Sequence, residues 1–328
     1  MSLYDPIREY FESLPKWDGV DYIKGLSETV KLRNPNLNDY WYTGLRKFLI
    51  ALVGCAIVPE ITNETSIIFY GEQGEGKTKW LNRLVPEELK PQQYLFVGNI
   101  YDDKDSKINL STRLLINLDE LGSFNHQEIG YLKSLFTLNT ISLREPYMRK
   151  TRNFIRRASF VGSIDREEFL TDLSGTRRFL TYAVSEVNYQ HEVDMNKVFS
   201  QAYSLFKNGE RYYFNKDEIK EINDHNEEFR LKSFEEELLQ INFSKPEYVS
   251  SASSMTTTEI ANVLSNSNLS FKVTNASLKK IGDAMNKLGY EKKSIKKDGK
   301  PLKCWLVKRV DPLAQLSNLS AVQSIMQN

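Results

Sequence analysis

The stretch from Gly71 to Thr78 constrains what this chain can fold into more than any other part of it. A β-branched and aromatic run, Ser66–Tyr70, precedes it and predicts a strand, and the residues after it predict a helix. Glycines let the backbone bend so that successive N–H groups point at an anion, and the helix adds its unpaired N-terminal donors. The stretch therefore predicts a nucleoside-triphosphate site. Its residues follow the pattern G-x-x-x-x-G-K-[ST] in full and are all expected to bind the nucleotide: Gly71, Glu72, Gln73, Gly74, Glu75, Gly76, Lys77 and Thr78.

Two side chains of this stretch and an acidic pair downstream have distinct predicted roles. Lys77 is expected to reach the β- and γ-phosphates of ATP, and Thr78 to offer its hydroxyl to Mg²⁺. The acids Asp119 and Glu120 directly follow an apolar run, which is the pattern of a buried strand that ends at a metal site. Asp119 is expected to complete the Mg²⁺ shell, and Glu120 to polarise the attacking water as general base. The alternative is a solvated strand end.

Composition excludes several other classes of protein. The chain has 328 residues, enough for two domains, and a formal net charge of +1, which indicates no partner by itself. Two distant cysteines, Cys55 and Cys304, argue against a disulfide framework or a zinc site, and the three histidines are equally scattered. No signal peptide opens the sequence, and its longest apolar run, residues 48–59, is too short to cross a bilayer. We expect a soluble intracellular protein with no membrane contact.

Between about residues 60 and 187, strands alternate with helices, which predicts a parallel sheet covered on both faces. Residues 1–58 are expected to form a helical N-terminal region, and residues 59–187 the nucleotide-binding core. Parallel strands bring their carboxyl ends to one edge, where ligands bind, so residues far apart in sequence can share one site. The predicted strands are Ser66–Tyr70, Tyr94–Val97, Arg113–Leu118, Ala158–Ser163 and Arg178–Val184.

Two further groups are catalytic candidates within this core. Ser163 and Asp165 close a buried strand, where a polar group can orient the lytic water or sense the γ-phosphate. Arg177 and Arg178 follow a glycine turn just before the last strand. An arginine directed at the γ-phosphate neutralises charge that develops in the transition state. The alternative for these arginines is a structural ion pair on the surface.

Basic residues between 144 and 157 predict contact with nucleic acid. Two short strands, at residues 141–143 and 153–155, flank a turn, so the cations would lie on a hairpin. Cations neutralise backbone phosphates, and an aromatic ring can stack on a base. A solvated hairpin is the alternative. The DNA-binding candidates here are Arg144, Tyr147, Arg149, Lys150 and Arg152, and Arg156 and Arg157 extend the basic run.

The remainder of the chain predicts a helical segment (188–243), a polar linker (244–257), a winged-helix DNA-binding domain (258–310) and a disordered tail (311–328). Helices are expected at Met195–Leu205 and Lys216–Leu239, and within the winged helix at Thr258–Leu264 and Ala276–Leu288. A hairpin from 290 to 310 turns at Asp298-Gly299 and carries many cations, which favours a duplex-binding wing over a merely soluble hairpin. The candidates on it are Lys292, Lys293, Lys296, Lys297 and Lys300, with Lys303, Lys308 and Arg309 also basic.

Taken together, these pieces resemble the virulence-associated protein E family of phages and mobile elements, which is itself similar to the superfamily 3 helicases within the AAA+ ATPases. The resemblance covers roughly residues 5 to 187. The matching residues are Trp17-Asp18-Gly19-Val20, Gly71–Thr78, Leu118-Asp119-Glu120, Phe160-Val161-Gly162-Ser163, and Phe169-Leu170-Thr171-Asp172 leading into Gly175-Thr176-Arg177-Arg178-Phe179.

The resemblance implies an AAA+ core that forms a hexameric ring and moves along single-stranded or forked DNA in a bacterial host's cytoplasm, using ATP and Mg²⁺. It implies a DNA-gripping hairpin before the sensor strand, and Arg177 or Arg178 as a finger acting on a neighbouring subunit's nucleotide. Asparagine is usual at the family's sensor position, where Asp165, or Ser163 in a shifted register, stands here.

Three functions therefore compete. The first is an ATP-driven DNA helicase or translocase for replication of a phage or mobile element. The second is an origin-binding initiator that uses ATP as an assembly switch and melts DNA without processive unwinding. The third is a phage-defence or regulatory ATPase that does not bind nucleic acid. Glu120 and Arg177 favour turnover over a switch, and the two basic hairpins favour DNA. No primase motif is evident, so priming would come from a separate chain or from other replication proteins.

Overall fold

The computed structural model describes residues 5–118, 121, 124–143, 152–165, 170, 176–230, 232–246, 248, 252–297 and 300–310, with the backbone alone for His126, Leu143, Lys297 and Lys300. The chain divides into two units, residues 1–231 and 232–328, which are described separately. The division falls within the segment 188–243 that was predicted to be helical, before the predicted linker. The predicted tail lies outside the described residues. In the described part, no helix is both long enough and apolar enough to span a membrane.

Helices and strands alternate along the first unit. Its helices are α1 (Pro6–Ser13), α2 (Tyr22–Ser27), α3 (Asn38–Ile57), α4 (Lys77–Asn82), α5 (Pro91–Tyr94), α6 (Lys104–Thr112), α7 (His126–Phe136), α8 (Met195–Lys207) and α9 (Lys216–Asn226). Its strands are β1 (Val30–Leu32), β2 (Ser66–Tyr70), β3 (Leu95–Val97), β4 (Leu115–Leu118), β5 (Thr140–Leu143), β6 (Arg152–Ile155), β7 (Ser159–Ile164) and β8 (Phe179–Val187).

The central sheet has the strand order β1-β8-β2-β7-β4-β3. The five predicted strands are all present, β2 with the predicted bounds and the other four with shifted ends. They run parallel to one another. This confirms the predicted α/β fold with a mainly parallel sheet. The edge strand β1 was not predicted: it pairs antiparallel with β8, inside the region that was expected to be helical throughout. The N-terminal segment therefore extends the same sheet.

Both faces of this sheet are buried, as the alternation of side chains along β2 shows. Ile67 and Phe69 pack in one hydrophobic cluster, which contains α3 and α4, and Ile68 packs in the other, which contains α7. Each fully buried side chain of this kind contributes about 1.5–3 kcal/mol to stability. Coverage of both faces leaves the ends of the strands as the places where ligands can approach.

The basic run 144–157 is divided between structural and exposed positions. Strands β5 and β6 form the predicted antiparallel hairpin, and residues 144–151 lie outside the described part. Arg156 is fully buried and donates to the carbonyl oxygens of Leu138 and Ala158 at 2.7 Å. Arg157 forms a bidentate ion pair with Asp5, in which its two terminal nitrogens donate to the two carboxylate oxygens at 2.7 and 2.6 Å. These two arginines of the basic run therefore have structural roles, because protein groups already accept their hydrogen bonds.

The second unit consists of three helices and a small antiparallel sheet in its described part. They are α10 (Phe234–Asn242), β9 (Phe243–Ser244), β10 (Ser253–Met255), α11 (Thr257–Ser267), α12 (Asn275–Lys287), β11 (Lys292–Lys297) and β12 (Lys300–Arg309). The sheet has the order β10-β12-β11, and β9 also pairs with β12. The fully buried Trp305 of β12 anchors this unit's core. The two helices and the hairpin predicted for 258–310 are therefore present, while the predicted helix Lys216–Leu239 is two helices, α9 and α10.

Candidate functional site

The stretch from Gly71 to Gly76, here called the glycine loop, joins the carboxyl end of β2 to α4. Gly74 and Gly76 have backbone φ angles of 94° and 82°, which residues with a Cβ atom rarely adopt. Gly76 is also covered by an aromatic ring, since a Cβ there would lie 2.3 Å from Cδ1 of Tyr189. Gly71 is required by space, because a Cβ would lie 2.9 Å from Cγ2 of Val184. The loop therefore needs its glycines for different physical reasons.

The side chain of Lys77 lies inside the glycine loop. Its ammonium donates to the carbonyl oxygen of Gly71 at 2.8 Å and to that of Glu72 at 2.5 Å, and the residue is only 7% exposed. The carboxylate of Glu75 approaches the same ammonium at 3.7 Å. Burial, and to a smaller extent the positive charge of Arg33, lowers the pKa of Lys77, while Glu75 and Asp165 act in the opposite direction. Two backbone carbonyl oxygens of the glycine loop thus hold the ammonium of Lys77 inside the loop.

Hydrogen bonds connect α4 with the neighbouring strands β7 and β4. The hydroxyl oxygens of Thr78 and Ser163 lie 3.1 Å apart. Asn117, buried in β4, donates to the side chain of Asn82 at 2.8 Å and to the backbone carbonyl of Thr78 at 3.4 Å. The sequence singled out Thr78 and Ser163 but missed Asn117. A polar residue inside the apolar run 113–118 was the available signal.

Asp165, the other candidate at the end of β7, is exposed and stands close enough to act on the pKa of Lys77. Both sensor candidates thus lie near Lys77 and Thr78: Ser163 is hydrogen-bonded to Thr78, and the charge of Asp165 acts on the pKa of Lys77. Strand β4 ends at Leu118, which pairs with Gly162 of β7. Asp119 and Glu120 follow Leu118 and lie outside the described residues, so their predicted roles stay predictions.

Arg177 and Arg178 lie at the opposite edge of the sheet. They precede β8, whose first residue pairs with Ser66 at the amino end of β2. Both line a cavity of about 380 Å³ together with Glu64, Tyr213 and other residues. Burial, and then the neighbouring charge of Arg177, lowers the pKa of Arg178, which Glu64 opposes. Since β2 is about 15 Å long, neither arginine lies at its own chain's glycine loop.

The DNA-binding candidates fall partly outside the described residues. Arg144, Tyr147, Arg149 and Lys150 are among residues 144–151, and Arg152 is exposed at the start of β6. On the hairpin of the second unit, Lys292 lies 4.5 Å above the ring of Trp305, and Lys293 pairs with Glu291 at 3.3 Å. Lys296 is exposed and lies opposite Pro301, while Lys297 pairs with Lys300 in the backbone register.

Comparison with known proteins gives a family and a fold. No curated protein matches the chain. The apo structure of NrS-1 C terminal region (305-718) is 14% identical, with a TM-score of 0.51 and coverage of 91% of this chain and 78% of that one. The A form apo structure of the same region is 13% identical, with a TM-score of 0.48 and the same coverage. At this identity the first likeness supports the fold alone.

The sequence also matches the virulence-associated protein E-like domain over residues 11–231. This match covers more than half of the chain and nearly all of the first unit, including the glycine loop and the whole central sheet. It confirms the family that the sequence motifs indicated. The chain belongs to the virulence-associated protein E-like domain family.

Proposed function

We propose that this protein is an ATP-driven DNA helicase or translocase that serves the replication of a phage or mobile genetic element in the cytoplasm of a bacterial host. The single observation that carries the proposal is the glycine loop that encloses the ammonium of Lys77. A buried cation surrounded by backbone bent at Gly74 and Gly76 fits a phosphate chain, because both supply positive charge or N–H donors to an anion.

The residues of the site also fit a hydrolytic reaction. Lys77 would exchange its carbonyl partners for the β- and γ-phosphate oxygens of ATP. Thr78 and Asp119 would hold Mg²⁺, which would neutralise charge that develops on the phosphate oxygens. Ser163 would keep the Thr78 hydroxyl in position for this task. Glu120 would accept a proton from the attacking water, with Asp165 or Ser163 close to the γ-phosphate.

The position of Arg177 and Arg178 supports assembly into a ring. Because both lie at the amino edge of the sheet, an arginine finger from this segment would have to act on the nucleotide of a neighbouring subunit. A closed ring of six copies, as the resemblance implies, would supply one such neighbour to every site.

We propose that the protein translocates along DNA. The basic hairpin of the second unit, with helices α11 and α12 beside it, suits a winged helix that holds the duplex, and the hairpin β5–β6 suits the single strand. An initiator that melts an origin without unwinding remains the second candidate. The same DNA contacts support it, but the predicted general base Glu120 favours repeated turnover.

The test compares nucleotide binding and hydrolysis in two variants. Lys77→Ala should lose ATP binding, because the loop loses its cation, whereas Glu120→Gln should bind ATP and fail to turn it over. Electron microscopy of wild-type protein with ATP and forked DNA should show six-fold rings, and an unwinding assay should show strand separation. Unchanged ATP binding in Lys77→Ala would refute the proposal, and full hydrolysis by Glu120→Gln would remove that residue from the role of base.

A further inference from the structure

An arginine from the N-terminal segment lies beside the start of the glycine loop. Arg33 follows the edge strand β1, and its backbone N–H donates to the carbonyl oxygen of Ala183 at 2.9 Å. Ala183 of β8 is in turn the register partner of Tyr70, the residue directly before Gly71. The short antiparallel strand therefore places Arg33 at the carboxyl edge of the sheet, where the candidate nucleotide site lies.

Two contacts hold the side chain of Arg33. Its Nε donates to the carbonyl oxygen of Val184 at 3.2 Å, and its Cζ lies 4.6 Å from the centre of the Tyr70 ring. Val184 and Tyr70 are the residues that border Gly71, one through space and one along the chain. A guanidinium held by one carbonyl and one ring is oriented while most of its donors stay available.

The guanidinium of Arg33 has neither a counter-ion nor an acceptor for its terminal nitrogens in the described part of the chain. It is nevertheless close enough to Lys77 for its charge to oppose protonation of that lysine. Two cations thus stand at one loop, and an anion placed between them would relieve their repulsion.

We propose that Arg33 binds the phosphate chain of the nucleotide, as a second cation beside Lys77. The inference rests on the proposed function of the glycine loop and adds to it a residue from a part of the chain distant in sequence. Arginine suits this task, because its planar fork donates two parallel hydrogen bonds to phosphate oxygens. The edge strand β1 would then serve to deliver a ligand-binding side chain as well as to extend the sheet.

Lys31 on the same strand provides a matched control. It is exposed and pairs with Glu186 of β8 at 2.6 Å, so it already has its counter-charge. Lys31→Ala removes a cation from the same strand and breaks an ion pair, which costs little at the surface. It should leave nucleotide binding unchanged.

The experiment is calorimetric titration of ATP, ADP and AMP into the full-length wild type, Arg33→Ala, Arg33→Gln, Arg33→Lys, Lys31→Ala and Lys77→Ala. We expect Arg33→Ala and Arg33→Gln to weaken ATP binding by about ten- to a hundredfold, the range for charge-assisted hydrogen bonds. Arg33→Lys should recover part of the affinity, since it restores the charge without the fork. A larger loss for ATP than for ADP would assign the contact to the γ-phosphate, and equal losses to the inner phosphates.

Two failures are distinguishable. If Arg33→Ala and Arg33→Gln bind ATP as the wild type does while Lys77→Ala does not, the inference is wrong and the proposed function stands. If the wild type itself binds no nucleotide, both are wrong. Thermal unfolding of every variant identifies a misfolded protein. Should Arg33→Ala fail to fold, Arg33→Gln decides, because it removes the charge while its amide nitrogen can take the place of the Nε that donates to Val184.

Discussion

The hydroxyl groups of Thr78 and Ser163 lie 3.1 Å apart, although 85 residues separate them in the sequence. Thr78 is in the first turn of α4, and Ser163 is close to the carboxyl end of β7, the strand between β2 and β4. The contact therefore joins the first turn of α4, directly after the glycine loop, to the strand next to β4, which the predicted acidic pair follows. It gives Ser163 a defined partner, which the sequence alone could not assign.

We predict that this contact affects the Mg²⁺ concentration that ATP hydrolysis requires. Thr78→Ala should raise the Mg²⁺ concentration needed for half-maximal ATP hydrolysis about tenfold or more, and Ser163→Ala should raise it less, because Ser163 acts through Thr78. Thr78→Ser keeps the hydroxyl and serves as the control. Hydrolysis rates measured across a Mg²⁺ series decide, and an unchanged requirement in Ser163→Ala would show that the hydrogen bond has no part in metal binding.

A second prediction concerns the arginines at the amino edge. Arg177→Ala should bind ATP normally and lose hydrolysis by about a thousandfold, the range for an arginine finger. Mixing Arg177→Ala with Lys77→Ala subunits should restore part of the ATPase activity, since some interfaces then combine an intact loop with an intact finger. Absence of recovery in verified mixed assemblies would contradict a site shared between subunits. The same series with Arg178→Ala identifies which arginine acts.

The sequence predicted this site well where a local pattern carries the information. The glycine loop, the strand before it and the parallel neighbours follow from glycine spacing and from apolar runs, and the structure contains them all. The edge strand β1 has three residues, too few for a periodic signal, so nothing in the sequence indicated that Arg33 lies beside the start of the loop. Positions of this kind depend on tertiary pairing.

Charged residues were the other source of error. The basic run 144–157 was interpreted from composition, which does not distinguish an exposed cation from Arg156, whose donors bind four buried or partly buried carbonyl oxygens. The break between α9 and α10 did have a signal. Ser233 and Glu236 form a capping box, and this pair marks a helix start within the predicted helix Lys216–Leu239.

A third prediction concerns Glu75, whose Oε2 is buried and, in the described part of the chain, accepts no hydrogen bond. A carboxylate beside Lys77 competes with the phosphates for that cation and repels them. Glu75→Gln keeps the shape and removes the charge, so ATP should bind about three- to tenfold more tightly. Glu72→Gln, an exposed position in the same loop, is the control. Weaker binding by Glu75→Gln would show that the carboxylate positions Lys77 instead.

A fourth prediction concerns acid stability. Burial, and then the charge of Arg83, lowers the pKa of His191 from its usual 6.5, and its ring packs against Trp80 of α4. Below pH 6.5 the unfolded chain therefore binds more protons here than the folded one, so the free energy of unfolding falls as the pH decreases toward the folded pKa.

This contribution is constant above pH 6.5 and can reach a slope of about 1.4 kcal/mol per pH unit below it. Denaturant unfolding of the wild type and His191→Gln at pH 8, 6.5, 6 and 5.5 measures it. The variant should show the shallower loss of stability on acidification. Parallel pH profiles for the two proteins would contradict the assignment.

The last prediction assigns duplex binding to the tip of the β11–β12 hairpin. At its base, Lys292 covers Trp305 and Lys293 pairs with Glu291, so both have protein partners. Toward the tip, Lys296 and Lys303 are exposed and share one face, since Lys296 pairs with Pro301 and Lys303 with Ser294. Two of the three lysines of α12 are less available, because Lys280 and Lys287 each approach a buried glutamate of α10 at 3.4 Å.

Replacement of Lys296 and Lys303 by alanine should therefore weaken duplex binding and reduce the salt slope by about two, one for each lost phosphate contact. The matched double variant at Lys292 and Lys293 should bind duplex more nearly as the wild type does. Replacement of Arg149 and Lys150 by alanine should instead weaken the binding of single-stranded DNA, while the basal ATPase activity is retained. Filter binding of both DNA forms across a salt series separates the three variants. Normal duplex affinity and slope in the Lys296/Lys303 variant would contradict duplex binding at the tip. Two exposed cations cannot be removed from a phosphate-binding surface without a change in its salt dependence.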